Sequence, residues 1–248
     1  MSDRQHFEAG GADYAQFRPT YPPELVAWLA SVAPSTDRAL DVGCGTGQLA
    51  TLLVEHFTAV VATDVSGDQI ANAAAHPRVT YRVEPAEEPD EPDNSYGLVA
   101  AGQAAHWFDL PVFFQAAQRV AVGGGVVALV TYGVVEVPGA PGALIGGFYW
   151  DVLRGMWPPE RAHVETGYRD IEYPFDQIEM PEMWIERSWT AQEFLGYVST
   201  WSGVKQLRRA GREAELDQFA AALQADAGDA LLDVRFPVLG RVGRVGGA

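Results

Sequence analysis

The sequence has little cysteine, little positive charge and no long apolar run. Cys44 is the single cysteine in 248 residues, which excludes an internal disulfide and a cysteine-based zinc cluster. Lys and Arg number 17 against 33 Asp and Glu, and the net charge of −16 would repel nucleic acid and anionic membranes. No apolar run reaches the ~20 residues that span a bilayer, and no basic-then-apolar signal begins the chain. We expect a cytoplasmic protein, a monomer or homodimer, without nucleic-acid or membrane partners.

Apolar residues make up 48% of the chain, an ordinary value for a globular protein. Short apolar runs alternate regularly with segments of helical pattern. The runs expected to be strands lie at 38–42, 59–63, 79–83, 96–101 and 125–131. This alternation predicts an α/β fold with a Rossmann-like, doubly wound, mostly parallel seven-stranded sheet and helices on both faces. Ligands of such sheets bind beyond the carboxyl ends of the strands, so the loops that follow these strands should form one site.

The alternation stops after residue 133, where proline, glycine and aromatic residues become frequent. We expect a helix or two at 143–156 in this stretch and a last strand at 230–237. The predicted organisation is an N-terminal helical lid (1–37), a Rossmann-like cofactor-binding core (38–133), an inserted helical substrate-side segment (134–182), a C-terminal completion of the sheet (183–240) and a flexible tail (241–248).

The most informative motif is the glycine-rich turn LDVGCGTG at residues 40–47. Glycine permits positive φ and lets ligand atoms approach the backbone, and the helix that follows offers free N–H groups. A dinucleotide site uses G-x-G-x-x-G, whose third glycine would fall at Gln48. Asp41 beside the turn would repel a pyrophosphate and would suit a cationic amino group. The alternatives are a nicotinamide-dependent oxidoreductase and a plain strand–helix turn.

A second acidic residue follows about twenty residues later, where Asp64 ends the second predicted strand. A carboxylate at this position can accept hydrogen bonds from both hydroxyls of a ribose. The alternative is that Asp64 caps the next helix, a role that Ser66 can also fill. We therefore expect a nucleoside at this edge of the sheet.

These motifs resemble those of class I S-adenosylmethionine-dependent methyltransferases. LDVGCGTG at 40–47, followed by VVATDVS at 60–66, is the signature of that family. Within the family the chain is similar to the group that includes trans-aconitate methyltransferases, through YAQFRPTYP at 14–22, QAAHWFD at 103–109 and TWSGV at 200–204. The resemblance is good over roughly residues 7–131 and weak over the rest.

The resemblance implies a Rossmann-like fold, S-adenosylmethionine as the cofactor and S-adenosylhomocysteine as the product. It places the glycine turn near the methionine part of the cofactor, with one acidic residue at the amino group of that part. It places a second acidic residue at the ribose, a valine on the adenine, and the loop after the third strand at the edge of the adenine. The implied cofactor residues are Asp41, Gly43, Cys44, Gly45, Gly47, Asp64, Val65, Ala86, Glu87 and Gln103. Glu84 and Glu88 crowd beside Glu87, so the alternative for this loop is a solvated acidic surface.

Methyl transfer is an in-line displacement for which the cofactor supplies the reactive group, and the protein aligns donor and acceptor. We expect no metal. The expected reaction is O-methylation of a small molecule, a carboxylate being one candidate, although N- and C-methylation fit the residues equally well. A carboxylate is ionised at neutral pH and needs no base. A hydroxyl or an amine needs one, and His106 is then the candidate. The alternative for His106 is a structural role beside Trp107.

The segment before the first strand is expected to act as a lid that carries Tyr14, Arg18 and Tyr21. Arg18 would bind a carboxylate in bidentate geometry, and Tyr14 would lie near the methyl group. The alternative is a surface helix with ordinary aromatic anchors. The catalytic candidates are therefore Tyr14, Arg18 and His106. Besides a methyltransferase and an oxidoreductase, the chain could also be a non-catalytic protein that binds the cofactor.

Aromatic residues are expected to line the acceptor pocket. By position we assign Tyr21, Trp107, Tyr132 and Trp150 to it. The aromatic residues of the insertion have an equally good alternative as its own small core. They are Phe148, Tyr149, Trp150, Trp157 and Tyr168.

Overall fold

The structure, a computed structural model, describes residues 19–246. The predictions for Tyr14 and Arg18 lie outside these residues. The strands are β1 (Arg38–Val42), β2 (Ala59–Asp64), β3 (Val79–Val83), β4 (Tyr96–Gly102), β5 (Ala121–Tyr132), β6 (Asp176–Ile178), β7 (Trp184–Trp189) and β8 (Leu232–Arg244). The helices are α1 (Pro23–Val32), α2 (Ala50–Leu53), α3 (Gly67–Ala71), α4 (Leu110–Val120), α5 (Gly139–Gly147), α6 (Ala162–Glu165), α7 (Ala191–Ser199), α8 (Ser202–Arg209) and α9 (Glu213–Ala227).

The sheet has the order β3-β2-β1-β4-β5-β8-β6, and β7 pairs with β8 beside this path. The first five strands run parallel to one another, whereas β8 runs antiparallel to β5, β6 and β7. The parallel strands β1 and β4 are buried almost throughout, as expected for strands with helices on both faces. Successive side chains on these strands point to two separate apolar cores, one on each face of the sheet.

The predicted α/β, Rossmann-like, mostly parallel sheet is confirmed, but the strand count needs correction. The described residues hold eight strands instead of seven. The difference arises at β8, whose first half pairs with β7 and whose second half inserts between β5 and β6. Because β8 continues through Arg244, the prediction of a flexible tail is wrong for 241–244, where backbone hydrogen bonds to both neighbours hold the chain.

Within the inserted segment, the helical prediction for residues 143–156 is only partly matched by the structure. Helix α5 begins at Gly139 and ends at Gly147, and a turn of π-helix follows at Phe148–Val152. The segment also contains β6, a short strand that its sequence pattern did not predict. Tertiary pairing with β8 creates this strand, since three residues have too little alternation to be recognised alone.

Helix α1 belongs to the segment that was predicted to be a lid. Leu25, Val26 and Leu29 are buried on one face, and the helix contacts α2 and β5. Residues 23–32 are therefore part of the layer that covers the sheet. Among residues 19–246, no helix is long and apolar enough to cross a membrane.

Candidate functional site

The glycine turn lies where β1 ends, at the carboxyl edge of the parallel strands. Gly43, Gly45 and Gly47 have φ of 67°, 55° and 84°, a region that L side chains rarely adopt. A Cβ atom at Gly43 would lie 2.6 Å from the Cβ of Ala104, so the turn after β4 packs directly on this glycine. The backbone N–H of Cys44 donates to the carbonyl of Thr63 at 2.9 Å. The turn is thereby held between β2 and the segment that follows β4.

Asp41 lies on β1 immediately before this turn and is buried, with 1% of its surface exposed. Neither carboxylate oxygen has a hydrogen-bond partner of normal geometry among the described residues. The pKa of Asp41 is raised to about 8, mainly by burial; the backbone N–H of Ala50 opposes this rise and the charge of Asp64 adds to it. A buried carboxylate without a partner is costly and is suited to meet a positive group of a ligand.

The carboxylate of Asp64 is tied to the glycine turn by its own hydrogen bonds. Its Oδ2 accepts from the backbone N–H of Gly45 at 2.9 Å, and its Oδ1 accepts from the N–H of Ser66 at 2.8 Å. Each oxygen keeps a further lone pair that can accept from a hydroxyl. The alternative role as the cap of α3 belongs to Ser66, whose hydroxyl accepts from the N–H of Gln69 at 3.3 Å. Asp64 is therefore positioned to hold a diol.

Two valines beside Asp64 leave apolar surface exposed at the ends of β2 and β3. Val65 is 55% exposed and Val83 is 58% exposed. Ala86 is buried in the following loop, and the Oε1 of Glu87 accepts from the backbone N–H of Asp109 at 2.9 Å at the start of α4. The pair of valines offers a surface on which a flat base can pack. Glu87 as a reader of the adenine edge stays a prediction, since one of its oxygens already serves α4.

Two residues of this region, Val83 and Tyr81, were not predicted from the sequence. A Cβ atom at Gly47 would lie 2.1 Å from the phenolic oxygen of Tyr81, which donates to the carbonyl of Ala74 at 2.9 Å. Tyr81 therefore covers the last glycine of the turn and ties it to the loop after α3. Val83 and Tyr81 both lie on the third predicted strand, whose carboxyl end belongs to the site. That position was the signal by which the sequence could have identified them.

At the end of β4, Gln103 has φ of 56°, which costs free energy for a residue other than glycine. Its backbone N–H donates to the carbonyl of Val130 at 2.9 Å, and its side-chain amide donates to the carbonyl of Tyr132 at 3.2 Å. Tyr21 and Tyr132 are both buried here, with ring centroids 6.1 Å apart. The structure thus brings three predicted site residues together at the carboxyl ends of β4 and β5.

His106 lies in a single turn of 3-10 helix, Ala105–Trp107, that follows the end of β4. Its Nδ1 is 3.2 Å from the phenolic oxygen of Tyr168, and its ring centroid is 4.8 Å from that of Trp107. Tyr168 is fully buried and has φ of 61°. Burial raises the pKa of Tyr168, and the nearby Thr131 side chain and His106 backbone partly oppose that rise. The insertion therefore reaches the site through Tyr168.

Phe148, Tyr149 and Trp157 of the insertion pack into the core on one face of the sheet, against residues of the C-terminal helices. The rings of Phe148 and Phe219 stack with centroids 4.2 Å apart, and Tyr149 lies 4.6 Å from Trp157 and 5.5 Å from Trp201. This arrangement favours the core interpretation for these rings. Trp150, by contrast, is 51% exposed and contacts Tyr149. Its assignment to the acceptor pocket stays a prediction.

Thr131 was not singled out from the sequence, and Tyr168 was singled out only as one of several aromatic residues. A buried threonine at the end of a central strand, next to the predicted pocket residue Tyr132, was a usable signal. No local pattern places Tyr168 against His106, because 62 residues separate them.

Comparisons with known proteins agree with this geometry. Residues 40–129 match the family model described as a methyltransferase domain. A protein of Dictyostelium discoideum assigned as a methyltransferase is 32% identical over 234 residues, which cover 91% of this chain and 89% of that protein. An uncharacterized methyltransferase of Mycobacterium tuberculosis is 40% identical over 118 residues, 47% of this chain and 48% of its own length.

The solved structure of a protein from Anaeromyxobacter dehalogenans, assigned as a type II methyltransferase, superposes with a TM-score of 0.87. It is 44% identical and covers 94% of this chain and 100% of its own. The fold and the glycine turn define a methyltransferase of the class I type. The chain belongs to the S-adenosylmethionine-dependent methyltransferase family.

Proposed function

We propose that this protein transfers the methyl group of S-adenosylmethionine to an oxygen of a small molecule, and that the acceptor is a carboxylate. The observation that supports the cofactor most directly is the pair of acidic residues at the glycine turn. Asp41 is buried without a partner of normal geometry, and Asp64 has its carboxylate fixed by two N–H groups. A buried carboxylate suits an ammonium group, and a fixed carboxylate with spare lone pairs suits a ribose.

The chain's own residues fit the cofactor as follows. Asp41 would face the ammonium group, Asp64 the two ribose hydroxyls, and Val65 with Val83 the adenine. The glycines of the turn allow close approach to the backbone. When bound, S-adenosylmethionine supplies a sulfonium methyl group; transfer to a carboxylate forms an O–CH₃ bond as the S–CH₃ bond breaks, the electron pair stays on sulfur, and no proton is released.

Arg161 supports a negatively charged acceptor. Its segment, Pro159–Arg161, contacts the turn Ala105–Trp107 that carries His106. The guanidinium lies 4.5 Å from the ring centroid of Trp157 and donates to the hydroxyl of Tyr149 at 3.3 Å. Within residues 19–246 it forms no ion pair with a carboxylate. A stacked guanidinium of this kind is suited to bind a carboxylate through its planar donors.

Calorimetric titration with S-adenosylhomocysteine tests the cofactor. We expect the wild type to bind, and Asp64→Asn to lose roughly 10–100-fold in affinity, because each hydrogen bond to a charged acceptor contributes roughly 1.5–3 kcal/mol. Asp68→Asn, which changes an exposed carboxylate four residues further on, is the matched control and should bind like the wild type. A wild type that ignores S-adenosylhomocysteine and binds NAD would identify an oxidoreductase instead.

Methyl transfer itself requires a second assay. The protein is incubated with methyl-labelled S-adenosylmethionine and a panel of small mono-, di- and tricarboxylic acids. A carboxyl methyl ester releases labelled methanol in mild alkali, whereas methyl ethers and methylamines do not. Alkali-labile label is the expected result, and alkali-stable label would refute the carboxylate. Cofactor binding without any labelled product over broader acceptor panels would favour a non-catalytic binding protein.

A further inference from the structure

The connection from β3 to β4 differs from the other connections between the parallel strands. Because the sheet order is β3-β2-β1-β4, this connection crosses β2 and β1 before it enters β4. Crossovers of this kind are usually helices, which cover the strands with apolar side chains. Residues 84–95 contain no helix. Other interactions must therefore hold this part of the chain across the face of the sheet.

Glu91 carries a buried charge from the middle of this connection onto the sheet. Its side chain is 1% exposed, although glutamate is almost never fully buried unless it is paired. Oε1 accepts from Nη1 of Arg82 on β3, and Oε2 accepts from Nη2 of Arg38 on β1 at 3.3 Å. The hydroxyl of Tyr96, the first residue of β4, also donates to Oε2. One carboxylate thus joins the connection to three strands.

Helix α4 holds the backbone of the same connection. The guanidinium of Arg119 donates to the carbonyl of Glu91 at 2.7 Å and to the carbonyl of Pro89 at 2.8 Å. It also pairs at 2.8 Å with Asp93, whose side chain is 66% exposed. An exposed ion pair contributes little to stability, whereas loss of one partner from a buried pair is costly. Asp93 and Glu91 are therefore two carboxylates of one connection with very different expected effects.

The first part of the connection adjoins the two exposed valines of the cofactor site. Val83 is the last residue of β3, and the backbone N–H of Glu84 donates to the carbonyl of Asp64 at 3.0 Å. A base that packs on Val65 and Val83 therefore lies beside residues 84–88. This stretch is rich in glutamate, and its carboxylate and carbonyl oxygens accept hydrogen bonds. An amino group on the edge of the base fits these acceptors better than a carbonyl oxygen does.

We propose that Glu91 is a positioning residue for the cofactor, whose buried ion pairs hold residues 84–88 beside the two valines so that this stretch distinguishes the edge of the base. The inference rests on the proposed function, because the base is that of S-adenosylmethionine. Glu91 acts through the connection and does not touch the base. Without its charge, the guanidinium groups of Arg38 and Arg82 lose their buried partner, and the connection is released from the strands.

The anchoring can be measured without a ligand. Amide hydrogen exchange, followed by mass spectrometry, reports on a peptide that covers residues 84–95. Glu91→Gln keeps the size of the side chain and removes its charge, and Asp93→Asn is the matched control on the same connection. We expect faster exchange in this peptide for Glu91→Gln and unchanged exchange for Asp93→Asn. Equal exchange in Glu91→Gln and the wild type would overturn the anchoring.

The effect on the cofactor is measured by calorimetry with two ligands. S-Adenosylhomocysteine and S-inosylhomocysteine differ at the edge of the purine, where inosine has a carbonyl oxygen instead of the amino group. We expect the wild type to prefer S-adenosylhomocysteine. Glu91→Gln should bind it about 10-fold more weakly and lose most of that preference, because a misplaced support misplaces the groups that it carries. Asp93→Asn should behave like the wild type.

The ratio of the two dissociation constants separates positioning from a purely structural role. A purely structural loss lowers the free energy of unfolding, or weakens both ligands equally, and leaves this ratio unchanged. An unchanged ratio in folded Glu91→Gln would therefore overturn the positioning role. A wild type that binds both ligands equally well would overturn it too.

Tyr96→Phe is the second variant, for the case that Glu91→Gln does not fold. It keeps the buried ring and removes only the hydroxyl that donates to Glu91. We expect faster exchange at residues 84–95 and a reduced preference for S-adenosylhomocysteine, both smaller than in Glu91→Gln. If folded Tyr96→Phe matched the wild type in exchange and in preference, the inference would be wrong.

Failure of this inference and failure of the proposed function are distinguishable. A wild type that binds S-adenosylhomocysteine, with a Glu91→Gln variant that keeps the preference, loses only the positioning role. A wild type that binds neither ligand contradicts the proposed function and the cofactor role of Glu91 together, while the exchange experiment still decides whether Glu91 anchors the connection.

Discussion

The region proposed to bind the cofactor, residues 38–132 (the cofactor-side region), builds its turn mainly from backbone. The region proposed to face the acceptor, residues 134–246 (the acceptor-side region), is built mainly from aromatic side chains. The first region holds its turn through left-handed glycines and through N–H groups that Asp64 accepts from. The second holds the stack of Phe148 on Phe219 and the cluster around Tyr149. Backbone conformation is set by neighbours along the chain, but an aromatic cluster can be assembled by many sequences. A short motif therefore predicts the cofactor site, and no comparable motif predicts the acceptor.

The largest expected effect in this comparison follows Gly43→Ala. The left-handed backbone costs roughly 1–2 kcal/mol for alanine, and the overlap with Ala104 adds roughly 1–3 kcal/mol. We expect a lower unfolding free energy in urea and a loss of about 100-fold or more in affinity for S-adenosylhomocysteine.

The matched control for that substitution is Gly211→Ala in the acceptor-side region. Gly211 has φ of 69°, close to that of Gly43, but a Cβ atom there would have no neighbour within 4 Å. Gly211→Ala should lower the unfolding free energy only by the cost of the left-handed backbone, and it should bind S-adenosylhomocysteine with the affinity of the wild type. If both variants bound S-adenosylhomocysteine equally well, the glycine turn would not be the binding site.

Asp41→Asn should have the next largest effect, and one that depends on pH. With the pKa of Asp41 raised from 3.8 when unfolded to about 8 when folded, only the folded state holds the proton between these values. Stability of the wild type is therefore lost as pH rises from about 4 to 8. Asparagine resembles the protonated acid and does not titrate.

We expect Asp41→Asn to match the wild type near pH 3–4, below or at the unfolded pKa, and to become more stable than the wild type as pH rises, by roughly 5 kcal/mol at pH 8, measured by urea unfolding. Its affinity for S-adenosylhomocysteine at pH 8 should fall about 10-fold. Equal pH dependence in both proteins would show that Asp41 does not titrate in this range. Asp68→Asn, an exposed change, controls for loss of one carboxylate.

The smallest expected effect concerns the acceptor-side region. Phe148→Leu removes a stacked ring and should lower the unfolding free energy by about 1–2 kcal/mol, with unchanged affinity for S-adenosylhomocysteine. Trp150→Leu, at an exposed neighbouring ring, should leave stability nearly unchanged. A weaker cofactor complex in Phe148→Leu would mean that packing in the acceptor-side region and cofactor binding in the cofactor-side region are coupled.

Much of the cofactor-side region was predictable because its signals are local. The strands at 38–42 and 79–83 and the helix at 110–120 match the structure, and Asp41, Asp64 and the glycines lie together at one edge. The end of β8 and the short strand β6 were not predicted, because each exists only through pairing with a distant strand. The contact between Tyr168 and His106 was missed for the same reason.

The sequence by itself determined the α/β class, the glycine turn with its two acidic residues, and hence the methyltransferase family, since spacing and backbone freedom are properties of adjacent residues. Only the tertiary structure decided that Asp41 is buried without a normal partner, that β8 runs on through Arg244, and that Tyr168 meets His106. Burial, strand pairing and contacts across 62 residues depend on how separate elements pack, and local sequence patterns do not encode that packing.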